Sequence, residues 1–164
     1  MRILVIAAFV CIVFGGSASA QTGNADLMAP IQKFMDTFNA GDMAGAAATH
    51  AAGADLVIMD EVAPHLWQGA KAFQAWSTDL DNDAKKNGIT EPKVTISPAT
   101  RVERNGDRAY VIVPAVYTFK QKGAAMRESA QMTFVLGKGA NGWLIHGWTW
   151  TGPKAKAAAV GPVK

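Results

Sequence analysis

The sequence predicts an α+β domain: a cone-shaped, strongly curved antiparallel sheet with three N-terminal helices packed on one face, enclosing a cavity. Three observations lead there. Apolar residues recur at three- and four-residue steps through the first half of the chain. From Lys93 onward the apolar period becomes two, the spacing of half-buried strands. Asn105-Gly106 then divides two such runs, a strong hairpin signal. Helices first and long antiparallel strands after them read as a helical layer on one sheet face. Long strands curling over helices leave a concave apolar space, the usual seat of small molecules.

The elements follow in order. Asn24 to Ala40 reads as an amphipathic helix, with Leu27, Ile31, Phe34, Met35 and Phe38 on one side, Asp26 to cap its start and Gly41 at its exit. Asp42 opens a short alanine-rich helix through about His50, broken by Gly53. Leu56–Met59 is a short strand, Asp60 to Pro64 a turn, and His65-Leu66-Trp67 the returning strand, ended by Gly69. Ala70 to Lys86 is a third helix, with Phe73, Trp76 and Leu80 on one side and Asn87-Gly88 as its stop. Four long strands complete the domain: Lys93 to Glu103, Arg108 to Lys120, Met126 to Leu136 and Trp143 to Thr151.

Both ends of the chain read differently. Met1-Arg2, the apolar run Ile3 to Phe14, and Ala18-Ser19-Ala20 have the order of a signal peptide, so residues 1–20 are expected to be cleaved and Gln21 to begin the mature chain. The run is short of the roughly 20 residues that span a bilayer. Periplasmic or secreted localisation is therefore expected, with no membrane contact after cleavage. Residues 21–151 form the domain, and residues 152–164, rich in Ala, Lys, Pro and Gly, a flexible tail.

Composition narrows the function classes. The chain has 164 residues, 49% of them hydrophobic, and a formal charge of +3. No basic run exceeds Lys85-Lys86, so a nucleic-acid partner is not expected. The one cysteine, Cys11, lies in the leader, which leaves the mature chain without disulfide, thiol nucleophile or zinc-thiolate ligand. His50, His65 and His146 lack HxH or HExxH spacing, so no metal is expected. No phosphate-cradling glycine loop or GxSxG elbow is present, and no cofactor is expected.

Chemistry is expected at few places. Asp60 follows an apolar strand, with Glu61, Pro64 and His65 beside it. A carboxylate on the wall of an apolar cavity loses hydration and becomes a base near neutral pH. The other reading is that Asp60 merely starts a turn. Tyr117 shares a strand phase with Ala109, Val111, Val113, Ala115 and Phe119, and from that phase its hydroxyl reaches a substrate oxygen or a buried carbonyl. The opposite phase, Tyr110, Ile112, Pro114 and Val116, is also apolar, which suggests a homodimer through the outer sheet face. On the last strand, alternation puts Trp148 and Trp150 on one face with Leu144 and His146.

Several phrases resemble the nuclear-transport-factor-2-like superfamily, which includes ketosteroid isomerase and the polyketide-cyclase (SnoaL-like) proteins. They are Phe38-Asn39-Ala40-Gly41-Asp42, Gly53-Ala54-Asp55-Leu56-Val57, Trp67-Gln68-Gly69-Ala70 and Gly142-Trp143-Leu144-Ile145, and the resemblance spans residues 26–151. It implies the cone fold. It also implies a general base at Asp60, which lies nine residues before Gly69, as the isomerase's aspartate lies before its helix-opening glycine. Of that enzyme's two oxyanion donors, the tyrosine's place holds Phe34 and the aspartate's place holds Tyr117.

The expected function is binding of a small hydrophobic or aromatic molecule in the cavity, with or without turnover. Phe34, Phe38, His65, Trp67, Trp76, Trp148 and Trp150 are the expected contacts, and Asp60 and Tyr117 the catalytic candidates. One alternative is an isomerase- or lyase-type proton-transfer enzyme using Asp60 as base. A second is an assembly module that fills its own cavity and uses its outer sheet face.

Overall fold

A computed structural model describes residues 24–158. The expected leader and the last six residues of the expected tail lie outside the described residues. Helix α1 runs Ala25–Asn39, α2 Met43–Ala47 and α3 Ala72–Asn87. Leu27, Ile31, Phe34 and Met35 of α1 are buried, the stripe that their spacing implies. Asp42 caps α2 by accepting from the Gly45 N–H at 2.8 Å. Gly88 ends α3 in the left-handed conformation, φ 66°, which glycine adopts without steric cost.

Asp26 lies inside the first turn of α1 and not at its cap. Its carboxylate ties the helix to the sheet, accepting from Arg104 at 2.7 Å and from the Trp143 indole at 3.0 Å. At the other end of α1, Asn39 exchanges two 2.8 Å hydrogen bonds with the Val94 backbone. The helix is thus clamped at both ends over the sheet.

The strands are β1 Val57–Met59, β2 Leu66–Gln68, β3 Ile89–Ile96, β4 Arg101–Asn105, β5 Arg108–Gln121, β6 Ala124–Gly139, β7 Gly142–Thr151 and β8 Lys156–Ala157. They form one sheet in the order β2-β1-β7-β6-β5-β3, with β4 also on β5 and β8 on β6. Four details differ from the sequence reading. The expected strand from Lys93 to Glu103 is two strands, because Pro98 between them has no N–H for the ladder. The pairing of β1 with β7 is parallel, not antiparallel. Its cause lies upstream: residues 49–51 already bridge to Ile145, so the chain leaves α2 running alongside β7. Part of the expected tail pairs with Met126 and Arg127 as β8.

The fourth difference bears on the site. Val135 pairs with Gly147 and Leu136 with Ile145, so β7 carries one extra residue, His146, at a bulge. Side-chain alternation reverses there. Trp148 and Trp150 therefore share the inner face with Trp143 and Ile145, not with Leu144 and His146. Gly147 permits close packing of β1, since a Cβ on it would lie 2.9 Å from the Val57 carbonyl oxygen.

The core lies between the helices and the inner sheet face. Ala109, Val111, Val113, Ala115 and Phe119 of β5 are buried, so of the two apolar phases it is that of Tyr117 that faces the helices. Met132, Phe134 and Leu136 of β6 continue this face.

Candidate ligand cavity and its acidic wall

Between α1, α3 and the far ends of β5, β6 and β7 the core stays open as a cavity of about 850 Å³. Phe34 and Phe38 reach it from α1, Trp76 from α3, Tyr117 from β5, and Trp148 and Trp150 from β7. These rings brace one another. Trp76 meets Trp148 edge-on with centroids 5.0 Å apart, and Tyr117 stacks on Phe119 at 4.7 Å. Such geometries add about 0.5–1.5 kcal/mol per pair beyond area burial, which stiffens a wall not filled from within.

Two expected contacts lie elsewhere. Trp67 on β2 is buried in the core, its indole donating to Asp79 of α3 at 2.8 Å, and it does not line the cavity. His65 is exposed in the turn before β2, with Nδ1 3.2 Å from the Asp60 carbonyl oxygen. Neither position follows from a three-residue strand whose register depends on its partner.

Asp60 lies at the end of β1 with its carboxylate turned into the cavity. The Trp76 indole donates to Oδ2 at 2.6 Å, and the Glu61 N–H donates to Oδ1 at 2.6 Å. Burial raises its pKa above the ordinary carboxylate value. The charge of Glu128 adds to the rise, while the two hydrogen bonds and His65 oppose it. A partly desolvated carboxylate that retains two donors is a stronger base than a surface aspartate and is held in one orientation.

Two further carboxyls join Asp60, and neither was singled out from the sequence as a site residue. Glu128 on β6 is 2% exposed and pairs in register with Tyr117 on β5. Its Oε1 accepts from the Trp150 indole at 2.5 Å, whereas its buried Oε2 has no partner among the described residues. Glu61 turns its carboxyl toward Glu128. Glu61 is an exposed residue whose carboxyl is partly desolvated against the cavity wall; that desolvation, contact with Glu128, and the charges of Glu128, Asp60 and Asp83 push it up to about 8. Near neutral pH Glu61 thus favours its protonated form, which lessens its repulsion from Glu128 and Asp60. A signal for Glu128 was present in the sequence: it shares the two-residue phase of Ala130, Met132, Phe134 and Leu136, a charge at a core position.

Tyr117 faces this trio. Burial and the charges of Glu61, Asp60 and Glu128 raise its pKa, so its phenol stays protonated and acts as a donor. Behind the wall, buried His50 bonds the Ala46 carbonyl at 3.0 Å through Nδ1 and accepts from the Trp148 indole at 3.0 Å through Nε2. Burial lowers its pKa to about 4, so it is a neutral brace and not an acid-base group at neutral pH. Among the described residues, no group of three or more His, Cys, Asp or Glu is placed to hold a metal ion.

This architecture matches solved structures of the nuclear-transport-factor-2-like superfamily. A superfamily protein from Salmonella enterica aligns with TM-score 0.67 at 13% identity, over 88% of this chain and 99% of its own. A ketosteroid isomerase-like protein from Erwinia carotovora atroseptica aligns with TM-score 0.61 at 21% identity, over 79% and 95%. A hexachlorocyclohexane dehydrochlorinase (LinA) Type2 aligns with TM-score 0.68 at 12% identity, over 85% and 90%. No family model matches the chain, and no curated protein matches it in sequence. The chain has the nuclear-transport-factor-2-like cone fold; at these identities the likeness concerns the fold alone.

Proposed function

We propose that the protein binds a small, mainly apolar or aromatic molecule in the cone cavity. One observation carries this reading: a space of about 850 Å³ opens among aromatic side chains that do not fill it. That size lies within the roughly 300–1,000 Å³ of ligand pockets. An open interior favours ligand binding over an assembly module whose cavity is filled by its own side chains. A thermal-shift panel of apolar ketones, sterols and aromatic compounds tests the proposal. A ligand at a hundred times its Kd stabilises by about 2.7 kcal/mol, an easily read shift. A flat response across all classes would count against it.

A second reading, proton-transfer catalysis, is favoured by the hydrogen-bonded, partly desolvated Asp60 carboxylate facing the cavity. Asp60 would take a proton from carbon beside a carbonyl, the electron pair moving to the carbonyl oxygen, where the Tyr117 phenol donates. Return of the proton to another carbon completes an isomerisation. Two solved structures of this fold carry the names ketosteroid isomerase-like and dehydrochlorinase, which supports proton abstraction as a chemistry the fold accommodates. Asp60→Asn discriminates: loss of turnover with unchanged ligand affinity supports catalysis, and unchanged turnover rules out Asp60 as base.

We also propose export to the periplasm or medium and a homodimer through the outer sheet face. The first rests on residues 1–20 and is tested by N-terminal sequencing of the mature protein, expected to begin at Gln21. The second rests on half-buried Tyr110, Ile112, Pro114 and Val116 with exposed Val135 beside them on the outer phase. Light scattering is expected to give twice the chain mass, reduced to one chain by Val135→Lys.

A further inference from the structure

The wall of the cavity contains three indoles, and each has its N–H engaged by another side chain. Trp76 donates to Asp60 Oδ2 at 2.6 Å, Trp148 to His50 Nε2 at 3.0 Å, and Trp150 to Glu128 Oε1 at 2.5 Å. Other polar side chains of the wall are engaged in the same way. Asn39 exchanges two bonds with the Val94 backbone, and the Ser77 and Thr78 hydroxyls donate to the Gln74 carbonyl. What a ligand meets from the three tryptophans is therefore ring carbon.

Trp150 differs from the other two in what holds it. Trp76 and Trp148 are buried and pack against each other and against Phe34. Trp150 is half-buried near the end of β7, and among the described residues its ring neighbour is Tyr117, edge-on with centroids 6.3 Å apart. Its acceptor is the second hold. Glu128 is 2% exposed and stands behind the wall on β6, not among the lining residues. Room for that carboxyl comes from Gly152, just past β7: a Cβ there would lie 3.0 Å from Glu128 Oε1 and 2.9 Å from the Ala130 Cβ. An acid on the same face as Met132, Phe134 and Leu136 is a poor way to fill a core, because burying a carboxyl is costly without hydrogen bonds.

We propose that Glu128 is a positioning residue that sets ligand selectivity: it holds the Trp150 N–H out of the cavity and so makes that wall a hydrocarbon surface. The inference rests on the binding reading above and names what this part of the site prefers, a ligand that turns bare aromatic or apolar surface to Trp150. Without its acceptor the indole is free to turn its N–H inward. A donor left unpaired against a hydrocarbon ligand is penalised, whereas a ligand oxygen satisfies it, so the preference moves toward oxygen-bearing ligands.

Displacement of N-phenyl-1-naphthylamine by 2-ethylnaphthalene and 2-acetylnaphthalene tests this in the wild type, Glu128→Gln and Glu128→Leu. Glutamine keeps an acceptor oxygen for the indole and removes the charge, whereas leucine removes both. The ratio of hydrocarbon to ketone affinity is expected to stay within about two-fold of wild type in Glu128→Gln and to fall about five-fold in Glu128→Leu, the scale of one hydrogen bond. The Trp150 indole proton is expected to keep its NMR shift in the glutamine variant and to move upfield in the leucine variant. Should Glu128→Leu not fold, Gly152→Ala keeps the acid and crowds its carboxyl off the indole; the ratio is expected to fall there too, and an unchanged ratio overturns the proposal. Equal weakening of both ligands in Glu128→Leu, or a glutamine variant that behaves like it, overturns the positioning role and leaves the binding reading standing. A wild type that binds neither the fluorophore nor the two ligands overturns the binding reading itself.

Discussion

Trp76 donates its indole N–H to Oδ2 of Asp60 across 2.6 Å, joining the middle of α3 to the end of β1. The same ring packs edge-on against Trp148. One tryptophan therefore sets the width of the cavity and the orientation of its buried carboxylate. Hydrogen bonds to a charged group contribute about 1.5–3 kcal/mol, more than the usual neutral pair.

Trp76→Phe keeps an aromatic ring in the wall and removes the donor. It is expected to cost about 1–3 kcal/mol in denaturant unfolding at pH 7. Because the lost bond opposes the upward shift of Asp60, the carboxyl pKa is expected to rise further, seen by NMR titration of the Asp60 side chain. Unchanged stability and titration would mean that the bond contributes nothing in solution.

Alkaline conditions are expected to weaken the fold through Glu61. Its folded value is about 8 against 4.5 for the free side chain, so the unfolded chain loses the proton first. The stability linked to this group is full below about 4.5 and is lost as pH rises through 8. Melting temperatures of wild type and Glu61→Gln, compared from pH 5 to 9, should diverge progressively from pH 5 to 8 and run parallel above it. Parallel profiles between pH 5 and 8 would contradict the raised Glu61 value.

His50 works in the opposite direction. With a folded value of about 4 against 6.5, it resists protonation in the core, and its stabilising neutrality is lost as pH falls from 6.5 through 4. At 1.36 kcal/mol per unit this amounts to about 3 kcal/mol by the acid end. The His50 ring resonances in an NMR titration are expected to hold constant from pH 8 to 5. Titration near 6.5 would show the ring to be solvated.

The two periodicities made the layers legible. Leu27, Ile31, Phe34 and Met35 mark the buried side of α1, Gly88 its counterpart's stop on α3, and Asn105-Gly106 the β4–β5 turn. Asp60 was legible as a carboxylate leaving an apolar strand. What local pattern does not hold is register. The β7 bulge at His146 reverses the face of Trp148 and Trp150, and it becomes visible only once β6 is laid beside β7. Glu128 meets Tyr117 because β5 and β6 pair over fourteen residues, and meets Glu61 because β1 ends at the same corner. Trp67 left the expected lining for the same reason: a three-residue strand takes its facing from Ile58 across the ladder.

The central claim, a cavity open to an apolar guest, is tested most directly with a neutral fluorophore. N-phenyl-1-naphthylamine is titrated into the wild type and into Ala84→Trp, which puts an indole into the cavity from a half-buried position on α3. A saturable, one-site rise in fluorescence is expected for the wild type, and its loss in Ala84→Trp with helix and sheet content unchanged by circular dichroism. No saturable rise, or an equal one in the folded variant, would contradict the account.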